Sequence, residues 1–276
     1  MNKKNLRFII ALSVEAKSII ELYKLKEINL PPNIFKIYKN IDLNIWLIIS
    51  GIGNVNSAAA TIYLYKSSPK NKKNIWINVG MAGSKNFDVG SIFNIKKVSY
   101  KNTLKEESFY LSTLVNTKIP INEIVSVDTP EYNFKKKKSI YEMEGYGFIK
   151  TVERFCSREL IIIIKIISDN EKIPPINFIK TTKHFMKSNI KALEELINDY
   201  IKISSSIKNK RKYNINIINK KFHITYSSKV IIEDLAFKFE KIYSRKELEI
   251  ILSEAKTLKD FIREVKKKIN SYVLKI

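Results

Sequence analysis

Three acidic residues each come where a predicted strand ends or a predicted helix begins. Glu15 follows the apolar run 6–12, and Asp169 follows the apolar run 160–167. Glu144 lies between them in the chain, within a stretch of helical spacing. One carboxylate can take a proton from water while a second, protonated carboxyl group gives one to a leaving group. Each residue alone is more simply interpreted as a solvated loop carboxylate, but their shared placement favours a site with a separate general base and general acid.

The pattern around these carboxylates alternates between strands and helices. Apolar runs typical of strands cover 6–12, 35–38, 43–50, 74–79, 91–100, 123–127 and 160–167, and helical spacing covers 15–22, 55–65, 141–155 and 188–203. This alternation predicts an α/β architecture with a central sheet that is mixed or mostly parallel. In such sheets ligands bind beyond the carboxyl ends of the strands. We therefore expect the three carboxylates at the ligand-binding edge.

Glycine is rare in this chain and is confined to one part of it. There are seven glycines, all between Gly51 and Gly147, whereas an average chain of this length has roughly nineteen. Five of them fall in loops at the ends or entries of predicted strands, and Gly83 follows the run 74–79. Because glycine allows turns and close approaches that other residues do not, these positions are a first map of a site.

The remaining composition excludes several classes of protein. With 276 residues and a hydrophobic fraction of 45%, the chain is not a disordered protein. A single cysteine excludes a disulfide framework and a cysteine-built zinc site, and two histidines far apart argue against a histidine-rich metal cluster. The signal-like start is interrupted by Glu15 and Lys17, and the run 160–167 is too short to span a bilayer. We expect a soluble, cytoplasmic protein.

The chain is strongly basic, with 50 Lys and Arg against 27 Asp and Glu and a formal net charge of +23. For residues 1–205 we interpret the positive charge as a uniform excess of lysine rather than as a surface that binds nucleic acid. From Ser206 the composition shifts, and we expect a short β-like piece and two helices, the first with a capping box at Ser244–Glu247. We predict one α/β domain over 1–205 and a basic, mainly helical extension over 206–276. A nucleic-acid partner for the extension stays open but is not favoured.

Several sequence segments carry a specific resemblance. They are, in chain order over about residues 6–200, ALSVEAKSII, SGIGNVNSA, WINVGMAG, FDVGSIFNI, YEMEG and LIIIIKIISDN. With them the sequence resembles the nucleoside phosphorylase/nucleosidase superfamily, and most of all the 5′-methylthioadenosine/S-adenosylhomocysteine nucleosidases. The resemblance implies a three-layer α/β/α domain with a mixed, mostly parallel sheet, and hydrolysis of a small-molecule nucleoside in purine and methionine salvage. It also implies a homodimer or larger homo-oligomer and no metal or organic cofactor.

The resemblance also implies roles for individual residues. Glu15 matches the carboxylate that activates water, and Asp169 matches the acid that protonates the purine, with Ser168 holding it. Met143 and Glu144 match the pair that binds the ribose. The other substrate contacts that the resemblance implies are Met81, Gly83 and Lys165.

The resemblance also bears on the choice between water and phosphate as the nucleophile. Phosphorylases of this superfamily have a Gly-Asp-Pro-like turn after the first strand, where this chain has Leu12–Glu15. A carboxylate there would repel phosphate, so we favour hydrolysis; phosphorolysis and a degenerate, non-catalytic nucleoside- or nucleic-acid-binding protein are the alternatives. The chain departs from the nucleosidases at Met81, where they often have a hydroxyl residue, at Lys165, where they have arginine, and in a shortened segment 128–140.

Overall fold

A computed structural model describes residues 3–101, 106–112, 115, 117–131, 139–174, 177–206, 216–240 and 242–271 of the chain. The chain divides into two compact units, residues 1–208 and 209–276, which we call unit 1 and unit 2. None of the helices in the described residues is long and apolar enough to span a membrane.

Unit 1 is built on one large sheet. Its strands are β1 (Leu6–Ile10), β2 (Lys26–Ile28), β3 (Ile37–Asn40), β4 (Ile45–Ile49), β5 (Ile75–Ser84), β6 (Ile92–Lys101), β7 (Glu106–Tyr110), β8 (Ile121–Ser126), β9 (Ile140–Glu142) and β10 (Ile161–Asn170). The helices of unit 1 are α1 (Ser13–Tyr23), α2 (Asn54–Ser67), α3 (Gly145–Val152) and α4 (Phe178–Ser206). The unit is therefore a mixed α/β fold, as the sequence predicted.

The strands follow the order β10-β6-β8-β9-β5-β1-β4-β3-β2, with β7 on the outer side of β6. Strand β10 also pairs with β5, so that β10, β6, β8, β9 and β5 close into a barrel-like ring. Among the described pairings five are parallel and five antiparallel. The expectation of a mixed sheet is confirmed, and the parallel ladders join more residue pairs than the antiparallel ones, the longest being that between β10 and β5. The neighbouring strands β10, β5, β1 and β4 are mutually parallel, which brings their carboxyl ends to one edge.

Helices cover both faces of the sheet, because strand side chains alternate between two apolar cores. Phe8 and Ile77 point into the core that α1 and α4 close, while Ile9 and Trp76 point into the core that α2 and α3 close. The run 160–167 forms β10 and is completely covered, as its continuous apolar sequence predicted.

Two boundaries near the predicted site differ from the sequence prediction. The run 74–79 continues as β5 to Ser84, so Gly80 and Gly83 lie in a strand and not in a loop. Their backbones pair with β10 and β9, which extends the strand. The helix expected from Tyr141 begins only at Gly145, because Tyr141 and Glu142 pair with β5 and β8 as part of β9.

The regular elements in the described residues of unit 2 are all helices. Its helices are α5 (Asn216–Lys221), α6 (Tyr226–Phe239), α7 (Arg245–Glu254) and α8 (Leu258–Asn270). They enclose a separate apolar core that includes Phe239, Leu248 and Phe261. The expected short β-like piece is absent from residues 216–240 and 242–271, where four helices form and not two, whereas the predicted capping box at Ser244 and Glu247 is present.

Candidate active site

A cavity of about 230 Å³ lies at the edge where the parallel strands end. It is lined by Ala11, Leu12, Glu15, Ile52, Met81, Ala82, Gly83, Val127, Pro130, Glu131, Tyr141, Glu142, Met143, Glu144, Ser168, Asp169 and Phe178. The cavity therefore brings together every residue that the sequence singled out for the site except Lys165, which lies behind its wall.

Glu15 is placed by the first turn of α1, directly after β1. One carboxylate oxygen accepts the backbone N–H of Leu12 at 2.9 Å, and the other accepts the backbone N–H of Met81 at 2.9 Å. The side chain is buried. Burial raises the pKa of Glu15 to about 7, with a further rise from the Glu144 charge, while the Met81 N–H and the Lys165 ammonium oppose it. The pKa of Glu15 therefore lies close to neutral pH.

Gly80 gives Glu15 and Lys165 room to approach the sheet. A Cβ at position 80 would lie 3.3 Å from Glu15 Oε1 and 3.6 Å from Lys165 Nζ. The first distance is tighter than ordinary van der Waals contact, so a side chain here would push the carboxylate away from the Met81 N–H. The absence of a side chain at Gly80 thus helps to set the position of Glu15.

Lys165 is a fully buried ammonium among buried carboxylates. Its Nζ lies 2.7 Å from Glu142 Oε2 and 3.7 Å from Glu144 Oε2. The shorter contact is a close ion pair whose direction departs from that of a good hydrogen bond. Although burial lowers the pKa of Lys165, the charges of Glu142 and Glu144 outweigh it and raise the pKa above its ordinary value. Lys165 is therefore a fixed positive charge.

Glu142 is the residue of this cluster that the sequence analysis missed. Its Oε1 accepts a hydrogen bond from the Ser126 hydroxyl, and its Oε2 accepts the backbone N–H of Glu144 at 3.0 Å and of Gly145 at 2.7 Å. Burial alone would raise the pKa of Glu142, but Lys165 and these donors hold it below its ordinary value. A second carboxylate two residues before Glu144 was visible in YEMEG, and a lysine inside the run 160–167 required a buried counter-charge.

Glu144 is held just before α3. Its Oε1 accepts the backbone N–H of Gly53 at 3.0 Å, which joins the turn before α2 to the segment before α3. Burial raises the pKa of Glu144, Lys165 opposes the rise, and Glu142 adds to it. Met143 lines the same cavity beside it.

Asp169 stands near the end of β10, on the cavity wall, and is half-buried. Its Oδ1 lies 2.5 Å from Ser168 Oγ, which also lies 3.2 Å from the carbonyl oxygen of Ala82 on β5. Ser168 thereby ties the orientation of Asp169 to the neighbouring strand.

The charges around the cavity are one-sided. Among the lining residues that the structure describes, five are acidic (Glu15, Glu131, Glu142, Glu144 and Asp169) and none is Lys, Arg or His. No group of three or more His, Cys, Asp or Glu in the described residues has an arrangement that could hold a metal ion. Such a wall suits a ligand that carries or develops positive charge.

The segment 128–140, which the sequence comparison indicated to be shortened, is described only in part. Its residues 132–138 lie outside the described residues, while Pro130 and Glu131 line the cavity.

Comparisons with known proteins relate this architecture to solved structures. An aspartate-to-asparagine variant of the nucleosidase MTAN from Chlamydia trachomatis superposes with a TM-score of 0.53 at 21% identity, over 72% of this chain and 100% of that one. The Helicobacter pylori MTAN, also such a variant and with 5′-methylthioadenosine in its active site, gives 0.55 at 17% identity, over 70% and 98%. The chain has the MTAN fold.

A third structure with the MTAN fold, the 5′-methylthioadenosine/S-adenosylhomocysteine nucleosidase of Streptococcus pneumoniae with a transition-state inhibitor, gives a TM-score of 0.55 at 16% identity, over 72% of this chain and 99% of that one. The covered share of this chain is close to the share that unit 1 occupies. The predicted resemblance to the nucleosidases is thus confirmed at the level of the fold. No protein-family model matches the sequence, and no curated protein matches it.

Proposed function

We propose that unit 1 hydrolyses the N-glycosidic bond of a purine nucleoside or thionucleoside. The observation that carries the proposal is that Glu15, Glu144 and Asp169, which are distant in the sequence, line one cavity at the ligand-binding edge of the sheet. The MTAN fold of the chain supports it, because solved nucleosidases of this fold hold 5′-methylthioadenosine or a transition-state inhibitor.

Glu15 is the general base of this proposal. A base works best when its pKa lies close to the working pH, and the pKa of Glu15 is about 7. Both of its oxygens are oriented by backbone N–H groups, so the carboxylate cannot turn away from a water molecule in the cavity. The N–H of Met81 makes this contact whatever the side chain is, and the departure at position 81 therefore leaves the anchor of Glu15 in place.

Asp169 is the general acid that protonates the departing base. A serine hydroxyl has one proton, and Ser168 faces two acceptors, the Ala82 carbonyl and Asp169 Oδ1. By donating to Asp169 Oδ1, Ser168 orients the carboxyl group. The proton that passes to the departing base is then carried by the other carboxyl oxygen, Oδ2.

Glu144 and Met143 bind the ribose in this proposal. Glycosidic cleavage passes through an oxocarbenium-like state in which positive charge develops on the sugar. The carboxylate of Glu144, which lines this cavity, stabilises that charge. The acidic wall of the cavity repels phosphate, and no cation lines the described part of it to offset this, which favours water over phosphate as the nucleophile.

A second copy of the chain is proposed as the partner of unit 1. Ile52, Val55 and Ile62 are exposed large apolar residues on or just before α2, and Ile52 lines the cavity. Contiguous exposed apolar surface marks association sites in water-soluble proteins. We expect sedimentation velocity to give a homodimer or larger homo-oligomer, and a monomer at micromolar concentration would contradict this.

The activity is tested by incubating the purified full chain with methylthioadenosine, adenosylhomocysteine, adenosine and inosine, and by measuring the free base. We expect release from at least one substrate, with no dependence on added phosphate. Asp169→Asn should abolish release, whereas Asp42→Asn, at an exposed position between β3 and β4, should not. No release from any substrate contradicts the proposal, strict dependence on phosphate replaces it by phosphorolysis, and full activity of Asp169→Asn overturns the role of Asp169.

A further inference from the structure

We propose that helix α8 of unit 2 binds the phosphate backbone of double-stranded DNA. This inference concerns a different part of the chain from the nucleosidase cavity and does not depend on it. It rests on the arrangement of charges along α8, on the way that unit 2 holds this helix, and on the short connection that precedes it.

The exposed residues of α8 lie on one face and are all cationic or amide residues. They are Lys259, Arg263, Lys266, Lys267 and Asn270. At 3.6 residues per turn these five positions fall within an arc of about 100°. The nearest acidic residues of the helix, Asp260 and Glu264, lie beside this arc and are only half exposed. We call these five residues the α8 basic face.

Three of the four cations on the α8 basic face are available to a ligand, whereas Arg263 forms ion pairs with Asp260 and Glu264. In the described part of unit 2, no carboxylate lies within 4.0 Å of the ammonium groups of Lys259, Lys266 and Lys267, whereas the cations of α6 and α7 at Lys238 and Arg245 pair with carboxylates of their own helices. Three ammonium groups on one face of a helix repel one another. An anion with regularly spaced charges relieves that repulsion, and a nucleic-acid backbone is such an anion.

The opposite side of α8 is fixed in the core of unit 2. Phe261 and Val265 are buried there, and Leu258, Ile262 and Ile269 pack against the same core. A helix that lies in a membrane surface needs its apolar face for the lipid, and this face is already used within the protein. The basic face is therefore presented by a rigid helix, which favours a charged, hydrated partner such as DNA over a lipid surface.

The connection before α8 is short and well defined. Helix α7 ends at Glu254 and α8 begins at Leu258, so three residues join them. Thr257 caps α8 by accepting the backbone N–H of Asp260 at 3.1 Å. Helix pairs joined by three or four residues are a common DNA-binding arrangement, in which the second helix enters the major groove. In unit 2 the second helix is the one with the basic face.

The dimensions favour DNA over RNA. An α-helix with side chains is about 10–12 Å across, and the major groove of B-form DNA is about 12 Å wide. The major groove of A-form RNA is too deep and narrow for side chains to read. Arg263 and Asn270 on the basic face are of the types that contact base edges in the major groove, while the three lysines contact phosphates.

The test is a salt titration of DNA binding by the full chain, measured by fluorescence anisotropy with a short labelled duplex. The three lysines would neutralise three phosphates, so the slope of log affinity against log salt is expected to be about −2.7. Replacing Lys259, Lys266 and Lys267 together by glutamine should reduce the magnitude of this slope by about 2.7 and weaken binding at about 50 mM salt by more than about tenfold. Circular dichroism checks that the variant keeps its helices.

The matched control removes three lysines from another helix. Lys183, Lys187 and Lys191 are exposed at helical spacing on α4 of unit 1, and their replacement by glutamine changes the net charge equally. We expect this variant to bind DNA like the wild type. Equal weakening of both variants would show that binding follows net charge and would overturn the proposal. So would the absence of DNA binding at low salt, equal affinity for duplex RNA, or preferential binding to phosphatidylserine vesicles. Nucleosidase activity should be the same in both variants.

Discussion

Lys165 Nζ lies 2.7 Å from Glu142 Oε2, and neither side chain has any exposed surface. Lys165 is on β10, the strand that carries Asp169, and Glu142 ends β9, two residues before Glu144. The ion pair therefore joins the strand with the proposed acid to the segment with the proposed ribose ligand. This buried contact adds to the backbone pairing of both β9 and β10 with β5 in holding the two sides of the cavity together.

Removing the positive charge from this pair should strongly destabilise unit 1. Lys165→Met leaves Glu142 and Glu144 buried without their counter-ion, and breaking a buried ion pair in this way costs about 3–5 kcal/mol. Urea denaturation followed by circular dichroism measures the loss. Lys202→Met is the matched control, because Lys202 pairs with Asp199 on the exposed surface of α4 and such pairs contribute about 1 kcal/mol or less. Equal effects of the two substitutions would contradict the structural role of Lys165.

The catalytic rate should depend on pH through Glu15. A general base acts in its ionised form, and the pKa of Glu15 is about 7. Below that pH the base is increasingly protonated, so kcat/KM should fall about tenfold for each pH unit. Rates measured from acidic to mildly alkaline pH with the best substrate check this. A rate that stays constant down to pH values near the ordinary pKa of a glutamate would exclude Glu15 as the base.

The stability of Glu15→Gln should differ from that of the wild type in a pH-dependent way. The folded pKa of Glu15 is raised above its unfolded value, so the wild type loses stability as the pH rises through this interval, when the buried group must ionise. Glutamine does not ionise. The difference in unfolding free energy between variant and wild type should therefore shift in favour of the variant between acidic and mildly alkaline pH, by about 3 kcal/mol. Urea titrations at both pH values measure it, and a pH-independent difference would contradict the raised pKa.

The three carboxylates on the wall of the candidate cavity could be selected from the sequence, whereas the groups that hold them in place could not. Glu15, Glu144 and Asp169 were recognisable because each follows or precedes a regular element whose apolar pattern is clear, and the structure places all three on one cavity. Glu142 was not recognised, because its function depends on Lys165 and on the N–H groups of the next turn, which only the folded chain brings to it. Charge pairing between distant segments has no local pattern.

The differences between the predicted and the observed strands also arise from pairing between segments that are distant in the sequence. The strands β2 and β7, which the sequence did not indicate, are short and depend on antiparallel pairing with β3 and β6. The run 74–79 was recognised, but its continuation through Gly80 and Gly83 was not, because glycine usually ends a strand. Pairing with β10 maintains the strand there, and the absence of a side chain at Gly80 leaves space for Glu15 and Lys165.

A last prediction concerns the contact between α2 and α3. A Cβ at Gly147 would lie 1.9 Å from the backbone oxygen of Asn54, so Gly147→Ala must push the start of α3 away from the start of α2. Because Gly53, directly before α2, donates to Glu144, the same displacement should loosen the proposed ribose ligand. We expect the free energy of unfolding to fall by about 3 kcal/mol and KM for the nucleoside to rise.

Asn54→Ala separates this steric effect from the loss of a hydrogen bond. The Asn54 side chain accepts the backbone N–H of Gly147 at 3.0 Å, and its removal should cost about 1 kcal/mol while the helices stay in contact. Urea denaturation and steady-state kinetics of both variants make the comparison. If Gly147→Ala were no less stable than Asn54→Ala, the close approach of the two helices would not be required. The position of Glu144 would then depend on its contacts with Lys165 and Gly53 and not on α3.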